Sequence, residues 1–516
     1  MKRGEGRGSP VAATEQVEIE LKFDVSANHP APSFAGLDGV DQVSEPQTVA
    51  LYATYFDTEN LDLASNRMTL RRRVGGDDEG WHLKQPALVN FGAVNTRREI
   101  QVTFDDAPMD ADVPAELMRP ILAITRRRRL MPVAAISTSR TTTELLDDEG
   151  HVVAVFCDDL VTAQSLLPDG QSQSWSEWEF ELVGGTGSPK GDRKLLKQVR
   201  KILLGAGAQV SSSQSKLARA IGSTPFVGQP HLGSNPTALE LVVTDIALHR
   251  NALVAMDPLV RIDAYDAVHQ MRVATRKLRS VLASFPSVLD PTRTAHVNSE
   301  LRLLAQILGT ARDSEVQIAL ATDLLAGEDA SDTLKAALVD DETKIHDKAL
   351  AVAHSAMNSR RYFALLDSID QLIAAPPAGV NAEAPARKVV ASALRKVRKK
   401  IGDDQDTLSR LPERSYDWEE HLHTIRKRAK KLRYTAEAAE ALGRKEFDDA
   451  ARAAKKVQAA LGDYNDSRIN RDRLVKIAEQ PQLSARDRFV LGRIDARQQV
   501  NGERALQLYW KAASEL

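Results

Sequence analysis

Val17-Glu18-Ile19-Glu20-Leu21-Lys22-Phe23-Asp24 alternates apolar and charged residues without a break. That is the two-residue period of a β-strand with one apolar and one charged face. Trp175-Ser176-Glu177-Trp178-Glu179-Phe180-Glu181-Leu182 does the same, and Arg97–Val102 and Met68–Val74 are weaker versions. Turn-forming clusters at 75–78 and 147–150 separate such runs. The first ~220 residues therefore read as an antiparallel sheet.

A break follows. Residues 222–236 hold three Pro, three Gly and two Ser, with no periodicity, and read as a linker. From Thr237 the apolar period becomes about 3.6 and the chain reads as long helices, interrupted at 374–379. This half repeats itself. His269-Gln270-Met271-Arg272 to Arg279 aligns with His423-Thr424-Ile425-Arg426 to Arg433, and Leu308-Gly309-Thr310-Ala311-Arg312-Asp313 with Leu461-Gly462-Asp463-Tyr464-Asn465-Asp466. Two matches at nearly one offset indicate two copies of one helical unit.

Composition bounds the function. In 516 residues, 69 Lys and Arg face 71 Asp and Glu, which excludes a uniformly basic coat but not strong local fields. One cysteine, Cys157, excludes an internal disulfide or a Cys-based zinc cluster and fits a reducing compartment. The polar, Gly-rich first 16 residues lack the apolar core of a secretory signal, and no run is long and apolar enough to span a membrane. The expectation is a soluble cytoplasmic protein.

Glu177, Glu179 and Glu181 share a strand face, as do Glu18, Glu20 and Lys22. Such faces are usually solvated. Three glutamates in a row repel, however, unless cations sit among them. A closed barrel would turn these faces inward, beside Arg71 and Arg73. A lumen of that kind suits a polyanion with divalent cations. In the helical half, His269, Arg272, Arg276 and Arg279 fall within an ~80° arc, and His423, Arg426, Lys430 and Arg433 repeat it with no acid in either segment. Solvated helix faces mix signs, so two single-sign stripes point to an anionic ligand. Arg312 is a candidate for the first cluster and Lys456 for the second. Few aromatics accompany the stripes, which argues against nucleic acid.

The strand half resembles the CYTH family, the triphosphate tunnel metalloenzymes. Glu18-Ile19-Glu20-Leu21-Lys22 matches the ExExK signature, and Tyr55-Phe56-Asp57-Thr58 with Leu70-Arg71-Arg72-Arg73 is similar to a later family passage. Lys84, Arg97-Arg98-Glu99, Arg140, Asp158, the alternating Glu177, Glu179 and Glu181, and Ser215-Lys216 follow in family order; Gln101 stands where an acid is common. The helical half resembles the CHAD family through His269-Gln270-Met271-Arg272, Leu308-Gly309 with Arg312-Asp313, and their second copies.

The resemblance implies an α+β protein of two domains, an eight-stranded antiparallel β tunnel followed by an all-α duplicated helical bundle. The expected boundaries are 15–222 for the tunnel, 223–236 for the linker and 237–516 for the helical domain, with repeats at 237–373 and 383–516. Glu18, Glu20, Glu179 and Glu181, with Glu99, Asp158 and Glu177, are the expected ligands for Mg²⁺ or Mn²⁺. Lys22, Arg71, Arg73, Lys84, Arg140 and Lys216 are the expected triphosphate ligands. The two stripes, Arg312 and Lys456 are the expected polyphosphate ligands. The expected activity is hydrolysis of inorganic triphosphate, with polyphosphate granules as a site of association. Alternatives are a non-catalytic polyphosphate binder, or an adenylate cyclase or thiamine triphosphatase. No general base or oligomeric state follows from the sequence.

Overall fold

The computed structural model describes residues 13–27, 29–86, 95–104, 112–222 and 232–516. They divide into two compact units, 1–228 and 229–516. Most of the expected linker, 223–231, lies outside the described residues.

The first unit is built on eight main strands: β1 Thr14–Val25, β2 Gln47–Asp57, β3 Thr69–Val74, β4 Gly80–Pro86, β5 Asn95–Thr103, β6 Met131–Leu146, β7 Val152–Ser165 and β8 Ser172–Leu182. Every pairing is antiparallel, in the order β1-β5-β4-β3-β2-β6-β7-β8. The β1–β8 pairing closes the barrel. Two-residue strands at Gln42–Val43 and Gln209–Val210 pair onto β6 and β1.

The barrel is inverted relative to an ordinary half-solvated sheet. Leu21 and Phe23 of β1, Phe156 of β7 and Phe180 of β8 face outward and are buried under helix α1, Pro189–Gly205, through Leu195, Leu196, Val199 and Leu203. The short helix α2, Lys216–Ile221, packs Leu217 and Ala220 against Val133, Ile136, Val161 and Trp175. Ser215 caps α2 by accepting from the Ala218 N–H at 3.1 Å, which starts the helix at Lys216.

The second unit is helical. Repeat one contains α3 Ala238–Arg261, α4 Ala267–Ser284, α5 Pro291–Leu325, α6 Asp341–Met357 and α7 Arg360–Ala374. Repeat two contains α8 Ala386–Leu408, α9 Tyr416–Glu437, α10 Lys445–Ala478 and α11 Ala485–Ala513. The duplicated motifs fall on α4 and α9 and on α5 and α10. The two repeats meet where α4 and α9 pack together, with the Thr435 hydroxyl 2.9 Å from the Ser284 hydroxyl. Among the described residues no helix is long and apolar enough to cross a membrane.

The turns of the barrel give a direct stability test. Gly75 has φ +91°, and a Cβ there would lie 2.2 Å from the Ala50 carbonyl oxygen; Gly150 has φ +83° with open space around it. Gly150→Ala is expected to cost about 1 kcal/mol, the strain of left-handed backbone alone, and Gly75→Ala about 3 kcal/mol or more. Denaturant unfolding of the two variants checks the order; equal losses would show that the close approach of Ala50 is unimportant.

Candidate functional site

Strand register assembles the lumen. Across the β1–β8 ladder, Lys22 lies opposite Glu179 and Glu20 opposite Glu181. Asp159 of β7 lies opposite both Arg140 of β6 and Glu177 of β8. Lys84 of β4 lies opposite Glu99 of β5. These pairs are connected into a charge network. Lys22 Nζ contacts Glu177 and lies 2.8 Å from Glu179 Oε1. Lys216, delivered by the start of α2, lies 2.9 Å from Asp159, 2.6 Å from Glu177 and 2.8 Å from Glu179. Arg140 donates to both oxygens of Asp159, at 2.8 and 2.7 Å, and to Glu179 at 2.6 Å. Lys84 donates to Glu18 at 2.7 and 2.6 Å. Glu99 accepts from His82 Nδ1 at 2.9 Å and lies 3.6 Å from Arg71.

The cavity enclosed by these strands is about 140 Å³. Its electrostatics show crowding of both signs. Burial, reinforced by Arg71 and Arg140, pushes the Arg73 guanidinium down to about 9. Burial pushes the Glu18 carboxyl up to about 8 against the pull of Lys84. Burial also opposes ionisation of Glu99, but Lys84, His82 and Arg71 outweigh it and hold Glu99 far below the usual range. Cys157 is buried, and its thiol is pushed up to about 11 by burial.

Of the residues expected in the lumen, Glu18, Glu20, Lys22, Arg71, Arg73, Lys84, Glu99, Arg140, Glu179, Glu181 and Lys216 line it, and Glu177 is fully buried beneath Lys22 and Lys216. Asp158 is a correction. Its ladder partners are Thr141 and Trp178, so it sits on the outward face, and Asp159 occupies the lumen face. The lumen also holds residues that are not among the expected ligands, Arg97 and Tyr55 among them. Arg97 is buried, lines the cavity and donates to the Gln214 carbonyl at 3.0 Å. Tyr55 lines it beside Arg71. Arg97 shares a strand face with Glu99, and Tyr55 lies opposite Arg71 in the β2–β3 ladder. Alternation held the signal for the first, and only register reveals the second.

The carboxylates differ in their fitness for a metal. Asp159, Glu177 and Glu179 converge closely enough to hold one ion, but Lys22, Lys216 and Arg140 already neutralise them. Glu20 and Glu181 face each other across adjacent strands, and among the described residues neither has an ion-pair partner. Burial, then Glu20 and Glu179, raise the Glu181 carboxyl against Lys84. An all-oxygen pair short of positive charge, with Glu18 two residues away on β1, fits a hard divalent cation.

In the helical unit, α4 and α9 bring the two stripes together. Arg276 Nη2 lies 3.2 Å from the Tyr434 hydroxyl, and Arg433 and Lys430 lie over the Tyr434 ring at 5.6 and 6.0 Å. Burial, then Arg276, Arg426, Arg272 and Arg279, push Lys430 down to about 8. Burial and neighbouring cations lower His269, which faces Arg312, and His423, which faces Lys427 and Arg426. Gly309 and Gly462 lie beside the guanidinium groups: a Cβ would make ordinary contact, 3.6 Å from Arg272 Nη2 and 3.9 Å from Arg426 Nη2. Lys456 is a second correction. It is exposed on α10 and tied to Glu515 at 2.6 Å, outside the cluster that depresses Lys430.

A CYTH domain profile matches residues 16–187 and a CHAD domain profile residues 244–475. Two uncharacterised Mycobacterium tuberculosis proteins, MT2285 and Rv2226, are each 39% identical over 491 residues, 92% of this chain and 91% of theirs. Among solved structures, the CHAD domain from the plant Ricinus communis is similar over 57% of this chain and 98% of its own, at 23% identity and a TM-score of 0.44. PptA from Streptomyces chartreusis is similar over 54% and 99%, at 18% identity and a TM-score of 0.44.

Lys216 is the cation shared by three buried acids. Lys216→Met should cost about 3–5 kcal/mol, because it leaves uncompensated carboxylates. Mn²⁺ should then raise the melting temperature of Lys216→Met more than that of the unmodified chain, since it can replace the lost charge. A variant that melts like the unmodified chain would show that Lys216 does not hold the acids together.

Proposed function

The chain belongs to the family in which a CYTH domain is followed by a CHAD domain, and from that premise we propose that its barrel is a metal-dependent triphosphatase acting on inorganic triphosphate and its helical domain a polyphosphate binder. The observation that carries the barrel reading is a small lumen lined by Lys22, Arg71, Arg73, Lys84, Arg97, Arg140 and Lys216 in which Glu20 and Glu181 lack cation partners.

Triphosphate brings about four negative charges, which such a lumen would offset. Lys22, Lys216 and Arg140 would exchange their shared partner Glu179 for phosphate oxygens and fix the chain along the lumen. Arg71 and Arg73, on adjacent lumen positions of β3, would hold the next phosphoryl group. Asp159 and Glu177 act as positioning residues, holding Arg140, Lys216 and Lys22 in place while Glu179 is released. Mg²⁺ or Mn²⁺ at Glu20 and Glu181, with Glu18, would supply charge neutralisation on phosphate oxygens and an activated water. The binding-only alternative draws on Gln101, a neutral residue opposite His82 where an acid would add a further ligand.

A phosphate-release screen over triphosphate, polyphosphate, ATP and thiamine triphosphate, with and without divalent metal, separates these readings. Glu181→Gln should lower metal-dependent release at least about tenfold, the loss of a metal ligand. Asp158→Asn, on the outward face, should leave it within about twofold, as expected of a residue outside the site. Release from none of the four substrates with any metal would move the barrel to the binding-only reading.

The helical reading rests on the unmixed charge of the α4 and α9 stripes and on the depressed Lys430. A polyanion laid along the stripes would raise Lys430 from about 8 back toward its ordinary value. The free protein at pH 8 has lost about half of that proton, so binding takes up about half a proton there. Calorimetry in buffers of different ionisation enthalpy should show this uptake, and Lys430→Arg should lack it. Identical buffer dependence in the two chains would remove Lys430 from the interface.

A further inference from the structure

The two repeats place equivalent arginines in unequal surroundings. In repeat one, Arg272 pairs with Asp313 at 2.9 Å, and Arg312 pairs with Glu315 at 2.9 Å and reaches Asp266 at 3.8 Å. At the repeat offset of 153, taken as 465 against 312, Asn465 replaces Arg312 and Arg468 replaces Glu315. A guanidinium has moved one turn along α10, and the carboxylate that neutralised its counterpart is gone.

Among the described residues, neither Arg426 nor Arg468 forms an ion pair. Asp463 is near enough to feel Arg426 without pairing. Glu419 is occupied by the Tyr464 hydroxyl at 2.5 Å, and Arg414 by Glu503 at 3.6 Å. The result is a cavity of about 400 Å³ in repeat two, lined by His423, Arg426, Asn465 and Arg468 with Leu422 and Leu461, and also by the carboxylates Glu419 and Glu420.

We propose that this cavity binds the end group of a phosphate chain. The proposal rests on the polyphosphate reading of the helical domain. An end phosphate carries a second ionisable oxygen and approaches two charges at neutral pH, whereas an internal phosphate carries one. Two unpaired guanidinium groups facing one cavity match a dianion, because each presents a planar pair of donors. Asn465 adds a neutral donor. The α4–α9 stripe would accept the interior of the chain. In repeat one the matching arginines hold Asp313 and Glu315, which a phosphate would first have to displace. The helical domain would thus hold a chain with one of its two equivalent ends in repeat two.

End and internal phosphates of a short linear polyphosphate give separate ³¹P resonances. With the full chain in EDTA, which suppresses turnover, the end-group signal should broaden more than the internal signal. Arg468→Ala and Arg468→Gln should abolish that excess, because both remove the guanidinium from an exposed position that packs no core. Arg471→Ala, one turn on and held by Asp495 at 2.8 Å, should keep it. The barrel contributes equally to every chain in the series. End-group broadening unchanged in both Arg468 variants would overturn the proposal. If an Arg272→Ala, Arg426→Ala chain also binds long polyphosphate as tightly as the unmodified protein, the polyphosphate reading falls as well; if that double variant is weakened, only the end-group site falls.

Discussion

The barrel depends on one constraint: carboxylate rows that face inward must find positive charge within a closed lumen. Glu18, Glu177, Glu179 and Asp159 are buried or nearly so, and an isolated buried carboxylate would give up its charge or its burial. Each of the four has a lysine or arginine in contact. The partners come from different elements: Lys22 from β1, Lys84 from β4, Arg140 from β6 and Lys216 from α2. Closure of the barrel and docking of α2 are therefore coupled to the charge network. The hydrophobic layer under α1 supplies the outward half of the same strands, so one alternation in sequence serves both core and lumen.

Much of this was legible in the sequence because it is local. The period of two around Glu18–Lys22 and Glu177–Glu181 specified the strands and which residues share a face. The period of 3.6 and the repeated His-x-x-Arg segment specified the duplicated helices. What failed was what register decides. Asp158 and Asp159 are adjacent, and only the pairing of β7 with β6 and β8 reveals which one meets Arg140. Lys456 carries the right charge on the right helix, but Glu515, 59 residues away, holds it elsewhere. Arg468 lies two residues beyond the repeated motif, which ends at Asp466, and repeat one carries Glu315 in its place, so the repeat itself gives no sign of it. The unpaired state of Glu20 and Glu181 was equally hidden, since it depends on where every cation in the lumen is already spent.

On the proposed reading, the two units would handle a polyanion by opposite electrostatic means. In the barrel nearly every cation is neutralised by a carboxylate of the same lumen, so an incoming phosphate must exchange one partner for another. Exchange of that kind would favour a ligand whose charges match the spacing of the displaced acids, and it would make a metal held at Glu20 and Glu181 complementary to the phosphate rather than competitive with it. In the helical unit the stripes are only partly neutralised, by Asp313 on Arg272 and Glu437 on Arg433, and the crowding of charge appears in Lys430, held near 8 by burial and the four arginines around it. A basic stripe gains by releasing the condensed counterions of any polyanion it binds and discriminates little between polyanions. On the proposed reading, selectivity within that unit has to come from somewhere other than the stripe. The unequal pairing of Arg272 and Arg426 provides it: a repeated scaffold in which one copy satisfies its own arginine, and the other leaves it for a ligand.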